Sequence, residues 1–101
     1  MDGAEQPMGD VANVFLFEND RVKVWHLILE PGEASPRHQH PRDYITIVLE
    51  GNDLRVVFDD GQVDDRKYNI GDVFYRSKHI PHYAFNTGSV RYKNVLIELK
   101  E

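Results

Sequence analysis

The sequence predicts an all-β domain, a sandwich or barrel of short antiparallel strands. Three observations point to it. Apolar runs of strand length, rich in Val, Ile, Phe, Tyr and Thr, recur along the chain, and none before the C-terminus holds a convincing helical period. Turn signals built on Asp-Gly, Pro-Gly and Asn separate these runs about every eight to twelve residues. With 101 residues the chain is one domain, and a domain of this size buries only about two-thirds of its unfolded surface. A bound metal or a second copy would help such a modest core.

The elements follow in order. Residues 1–10, MDGAEQPMGD, are polar and acidic and read as a flexible arm, leaving 11–101 as the folded domain. VANVFLFE is a strand ending at the Asn19-Asp20 turn, and RVKVWHLILE is a second ending at Pro31-Gly32. Asp43–Glu50 ends at Gly51-Asn52. LRVVF leads into Asp59-Asp60-Gly61, a hairpin signal, and QVDDRKYNI returns to Gly71-Asp72. VFYR and HIPHYAFN follow, the latter stopping at Thr87-Gly88-Ser89. VRYKNVLIELK closes the chain, and its partly alternating VLIEL suits a strand at a sheet edge or a dimer seam. Trp25, Leu27, Leu29, Ile45, Ile47, Phe74, Tyr83, Phe85 and Tyr92 are the expected core or pocket wall.

Composition excludes several functions. A net charge of −5 argues against nucleic acid, whose binding needs a basic surface. The absence of cysteine removes disulfide scaffolds, zinc ribbons and thiol catalysis. No segment approaches the roughly twenty apolar residues of a membrane span, and the acidic N-terminus is not a secretory signal. A cytoplasmic enzyme or binding protein acting on a small molecule is expected, with no nucleic-acid or membrane partner.

The stretch Gly32–Gly51, GEASPRHQHPRDYITIVLEG, carries the chemistry. His38 and His40 stand two apart, so on an extended segment they face the same side. Neutral imidazoles are common ligands for zinc, iron, nickel and copper, and this pair is half of a metal site. His82 is the candidate third ligand. Tyr44 shares the parity of the pair and should face the same cavity, whereas Asp43 should face away.

Two blocks then match a family pattern. Gly32 is followed by five residues, His38-Gln39-His40, three residues, Tyr44, six residues and Gly51. Gly71 is followed by five residues, Ser77-Lys78-His79, two residues, His82, three residues and Asn86. Both resemble the two motifs of cupins, and the chain resembles a small single-domain cupin of the three-histidine kind. Tyr44 stands where many cupins have the Glu ligand, and Ser77 and His79 replace the Pro and Gly of the second motif. The resemblance implies a double-stranded antiparallel β-barrel, metal ligands His38, His40 and His82, no carboxylate ligand, and pairing of two chains through terminal strands. Three-histidine cupins include iron dioxygenases that cleave β-diketones or oxidise small thiols. The runs HPRDYITIVLEG and FENDRVKVW also look like small cupins associated with β-alanine or other small-molecule catabolism.

Three neutral histidines leave a divalent ion near its full +2 charge, which favours anionic bidentate substrates and strengthens Lewis acidity. Zinc on such a trio lowers the pKa of bound water. Iron(II) could take substrate and oxygen together. Affinity order does not choose between them. The expected function is therefore a metal-dependent small-molecule enzyme with one divalent ion, iron(II) being favoured over zinc, nickel or manganese. The expected reaction is oxygenation of a small chelator such as a β-dicarbonyl or keto acid. The alternatives are a non-redox metallohydrolase or isomerase, and a binding protein without catalysis.

Plainer readings stand beside these. His38 and His40 could be solvated turn residues after Pro36, and His82 a buried histidine bonded to backbone. His79 reads as a pocket-rim residue and His26 as a strand or interface residue. Tyr44, the catalytic candidate, either donates a hydrogen bond to bound substrate or simply fills the space of the missing Glu. Arg37, Arg42 and Arg76 could pair with an anionic substrate or lie solvated. Asp59, Asp60, Asp64 and Asp65 flank a hairpin tip and lack the spacing of a calcium loop. Apolar runs at both ends, VFLF and VLIEL, leave sheet edges to cover and predict a homodimer.

Overall fold

The computed structural model describes residues 9–77 and 81–100. Over these residues the chain forms eight strands: β1 (Val14–Glu18), β2 (Val22–Leu29), β3 (Tyr44–Glu50), β4 (Asp53–Phe58), β5 (Val63–Lys67), β6 (Val73–Arg76), β7 (His82–Phe85) and β8 (Tyr92–Leu99). They build a five-stranded sheet, β1-β2-β8-β3-β6, and a three-stranded sheet, β5-β4-β7. Every strand pairing is antiparallel. Among the described residues there is no helix long and apolar enough to cross a membrane.

Alternation sets the core. On β2, Trp25, Leu27 and Leu29 point inward, and Leu29 is 1% exposed. Leu54 and Val56 of β4 face them from the smaller sheet, and Val48, Tyr92 and Leu96 complete the packing. Each such side chain contributes roughly 1.5–3 kcal/mol on burial. Tyr83, expected in the core, is instead exposed, because its neighbours His82 and Ala84 take the inward positions of β7.

Several strands are shorter than the apolar runs suggest. β1 starts at Val14, while Val11 and Ala12 turn in and bury against the core. Asn13 then replaces a strand residue: its side-chain amide donates to the Ile28 carbonyl (2.6 Å) and accepts from the Ile28 N–H (2.9 Å). β5 stops at Lys67, and Tyr68 continues the run only through its N–H to the Asn52 carbonyl (2.8 Å). The Asp59-Gly61 turn closes as expected, with Phe58 N–H on Gln62 O (2.9 Å) and Gln62 N–H on the Asp60 carboxylate (2.9 Å). The acidic residues around it are occupied as ordinary ion-pair partners: Asp59 with Arg37, Asp64 with Arg66 and Asp65 with Arg55.

The expectation that VLIEL lies at an edge is not met. β8 runs through the middle of the larger sheet, between β2 and β3. Its inward series is Tyr92, Asn94, Leu96 and Glu98, all buried, so Val95, Ile97 and Leu99 face outward. Register extends that outward face across the whole sheet. One row reads Phe17, Val24, Ile97, Ile45, Tyr75; the next reads Val14, His26, Val95, Ile47, Val73. Phe17, Val73 and Tyr75 are each more than half exposed. β1 and β6 are the edge strands of this sheet, and all five residues of β1 are exposed.

Gly51 ends β3 with φ of 84°, and a Cβ there would lie 2.6 Å from the Arg91 carbonyl oxygen. Gly61 also has positive φ, but a Cβ there meets nothing within 4 Å. A left-handed backbone costs a non-glycine residue about 1–2 kcal/mol. Gly51→Ala adds a backbone clash to that cost, so its urea unfolding midpoint is expected to fall well below that of Gly61→Ala. Equal midpoints would contradict the close approach of β3 to the start of β8.

Candidate metal centre

The site is built by one backbone pairing. Between β2 and β3 the chain runs extended beside β7, bridging at Ala34–Phe85 and at His38–His82. His38 and His82 exchange both hydrogen bonds, N–H to O at 2.8 Å each way. Ser35 anchors the same seam: its N–H donates to Ala84 O (2.8 Å), and its hydroxyl accepts the Ala84 N–H (2.9 Å). Pro36 and Pro41 lack the N–H a ladder needs, which explains isolated bridges in place of a regular strand. Gly9 adds a further tie through its N–H to Arg37 O (2.8 Å).

This places three imidazoles together. His38, His40 and His82 are 2%, 3% and 6% exposed. One ring nitrogen of each lies within 4.8 Å of the others. Nitrogens around one ion at 2.0–2.1 Å span up to roughly 4 Å, so little ring movement closes the cluster. His38 Nδ1 lies 2.8 Å from the Pro36 carbonyl oxygen. A carbonyl only accepts, so Nδ1 carries the proton and Nε2 keeps its lone pair for a metal. Burial holds the His38 pKa below its ordinary value, outweighing the Pro36 bond, so the ring stays neutral as a ligand must. The donor set therefore fits one divalent ion. Among the described residues this group contains no carboxylate.

Tyr44 reaches the site from the opposite sheet. It is 5% exposed, and its ring stacks on His40 with centroids 3.8 Å apart and planes 13° from parallel. Burial pushes its pKa up to about 12, against the pull of Arg66 and Arg76, so the phenol keeps its proton and can donate. His79 lies outside the described residues, as do residues 1–8 of the N-terminal arm. His26 sits on the outer face of β2, away from the group.

Of the arginines considered from sequence, Arg37 is held by Asp59 through a bidentate pair (3.0 and 2.6 Å). Arg42 lies 3.4 Å from buried Glu98. Arg76 lines the cavity at the histidines. Sequence reasoning did not single out Arg66, Tyr68, Asn94 or Glu98. Arg66, Tyr68 and Asn94 line that cavity, whose volume is about 50 Å3. At about 10–15 Å3 for each water-sized group, that is room for a handful of them. Glu98 is 2% exposed and takes the Trp25 indole N–H at 2.7 Å. It stands beside Tyr44 in register, and Arg76 is Tyr44's neighbour on the other side. The available signal was parity: Asn94 and Glu98 share the face of Tyr92 and Leu96, a polar pair on one side of an apolar strand.

A two-sheet antiparallel β-sandwich with a buried three-histidine group between its sheets has the architecture of a double-stranded β-helix, with a donor set compatible with one metal ion. Residues 25–97 match the Cupin domain family, and the chain belongs to it. Among curated proteins none matches the chain. Among solved structures it is similar to a cupin domain from Bordetella pertussis at 23% identity, covering 92% of this chain and 100% of that one, with a TM-score of 0.77. A cupin superfamily protein from Desulfitobacterium hafniense is 25% identical over 96% of this chain and 84% of its own, with a TM-score of 0.64. An RmlC-like cupin family protein from Methanocaldococcus jannaschii, described as a double-stranded β-helix, is 17% identical over 91% and 94%, with a TM-score of 0.67.

Glu98 ties Trp25 and Arg42 behind the site. Glu98→Leu strands a buried indole N–H and a half-buried guanidinium, and should cost about 1–3 kcal/mol of stability by chemical denaturation. Glu98→Gln, which keeps an acceptor for Trp25, should cost less. A Leu variant as stable as the parent would show that the bond is not structural.

Proposed function

We propose that the protein is a metal-dependent enzyme acting on a small chelating molecule, with one divalent ion held by His38, His40 and His82. The observation that carries this reading is the buried histidine group, with no carboxylate in it among the described residues, facing a small cavity. Iron(II) is the favoured ion and oxygenation of a β-dicarbonyl or keto acid the favoured reaction. When bound, such an ion supplies a Lewis-acidic centre that takes a chelating substrate and brings oxygen beside it. The chain's own contribution is positional. Pro36 O fixes the His38 ring, Tyr44 fixes the plane of His40, and the backbone bridge fixes His82 against His38. The Tyr44 phenol, protonated at neutral pH, serves as donor to the substrate.

Replacing any one of the three histidines by Ala should weaken metal binding and lower the melting temperature of the metal-loaded protein, since a ligand that binds only the folded state stabilises it by mass action. Tyr44→Phe should keep the metal and slow turnover. A His82→Ala protein that holds metal as tightly as the parent would refute the ligand set. If iron-loaded protein consumes no oxygen with dicarbonyls, keto acids or thiols, the reaction is non-redox or the protein only binds. Hydrolase and isomerase assays with zinc, nickel or manganese separate those two.

We also propose that the protein is a homodimer, joined through the outer face of the larger sheet. Two rows, apolar but for His26, cross that face from β1 to β6. A contiguous patch of this kind marks an interface more often than bare surface, and a second copy presents the same patch about a two-fold axis. Ile45→Lys or Ile97→Lys should shift sedimentation equilibrium from dimer to monomer at micromolar concentration. A parent protein that is monomeric there would end this proposal.

A further inference from the structure

We propose that the cavity binds a small carboxylate, gripped by Arg66 and Arg76 while its other oxygen meets the metal; this rests on the metal reading above. The two guanidinium groups come from different sheets, Arg66 on β5 and Arg76 on β6, yet both line the cavity of the histidines. Both also converge on one hydroxyl. Arg66 Nη1 and Arg76 Nη2 each lie 3.5 Å from the Tyr68 oxygen. Arg76 stands next to Tyr44 in register, and its guanidinium lies over the Phe74 ring at 4.6 Å.

Charge is the second part of the argument. Asp64 neutralises one arginine, through Arg66 Nε at 2.9 Å. Among the described residues Arg76 has no carboxylate within ion-pair distance. The histidines add no negative charge, and Tyr44 stays protonated. The wall therefore carries a half-buried guanidinium with no carboxylate partner among the described residues, a charge that an arriving anion offsets. Two convergent guanidinium forks match a carboxylate better than they match a neutral carbonyl.

Asn94 adds an orienting contact. It is 3% exposed, and its Nδ2 donates to the Tyr92 hydroxyl at 2.8 Å, while Oδ1, in the same cavity wall, has no hydrogen-bond partner among the described residues. A buried acceptor of this kind calls for a donor, which an enol or hydroxyl on the ligand supplies. The ligand class is thus a small keto or hydroxy acid, rather than an uncharged dicarbonyl.

Acetoacetate and pentane-2,4-dione test this, since they are close in size and differ by one carboxylate. Calorimetric titration is made into zinc-loaded protein, which cannot turn over by redox chemistry, and into metal-free protein. Parent protein should prefer acetoacetate over the dione by on the order of tenfold or more. Arg76→Met should erase that preference while leaving dione affinity and zinc content unchanged, and Arg76→Lys should recover part of it. Unfolding of Arg76→Met is measured alongside, and Arg66→Gln gives a second variant if it fails to fold. An Arg76→Met protein that keeps the full preference overturns the proposal, as does equal binding of the two ligands by the parent. If the parent binds no zinc, the metal reading fails by itself. Carboxylate binding to metal-free protein, lost in Arg76→Met, would still support the arginine site, and its absence would overturn it.

Discussion

The reciprocal backbone pair between His38 and His82 is the constraint on which the site depends. A segment containing two prolines cannot hold a regular ladder, yet it must deliver two imidazoles to the space between the sheets. Two short bonds to β7 and the Ser35 seam beside them supply what the missing N–H groups cannot. The backbone thus sets where the histidines stand, and side-chain contacts then set their rings: His38 Nδ1 on the Pro36 carbonyl and His40 against Tyr44. Once His38 is pinned, His40 follows by alternation, and Tyr44 receives it from the facing sheet.

Much of the fold was legible in the chain because turns and apolar runs are local signals. Gly32, Gly51, Gly61 and Gly71 sit at strand ends with positive φ, where the turn-rich sequence places them. Alternation, a local rule, put His38, His40 and Tyr44 on one side, whereas His82 was joined to them by the resemblance of the second block to a family motif. What failed was the place of β8 and the facing of β3. VLIEL suits a sheet edge, yet β8 runs between β2 and β3. Ile45 and Ile47 read as core residues, but Tyr44 and Val48 take the buried positions of β3, and the two isoleucines lie on the outer rows. Which parity faces the core is a tertiary decision, and an apolar outer face misleads any reading that equates apolar with inside. Tyr83 failed similarly, because His82 and Ala84 claim the inner side of β7.

The same inversion explains why the cavity's charged wall was hard to see. Arg66 lies in the run VDDRK, which reads as a solvated strand, and only pairing with Leu54 shows that it turns inward. Polar residues that a core must satisfy are concentrated here: Asn94 on Tyr92, Glu98 on Trp25, Arg66 on Asp64. Only the bond between Glu98 and Trp25 joins strands far apart in sequence; the other two lie within one strand, and it is their inward facing that a local pattern cannot report. The larger sheet thus carries polar residues on its inner face beside the histidines and rows that are apolar but for His26 on its back.

The bond between Trp25 and Glu98 has a practical consequence. The chain contains one tryptophan, and its indole N–H is fixed to a carboxylate that neighbours Tyr44 across the sheet. Indole emission responds to nearby charge and polarity. The protein therefore carries its own optical gauge, bonded to the residue that pairs with Tyr44, without the need to attach a label.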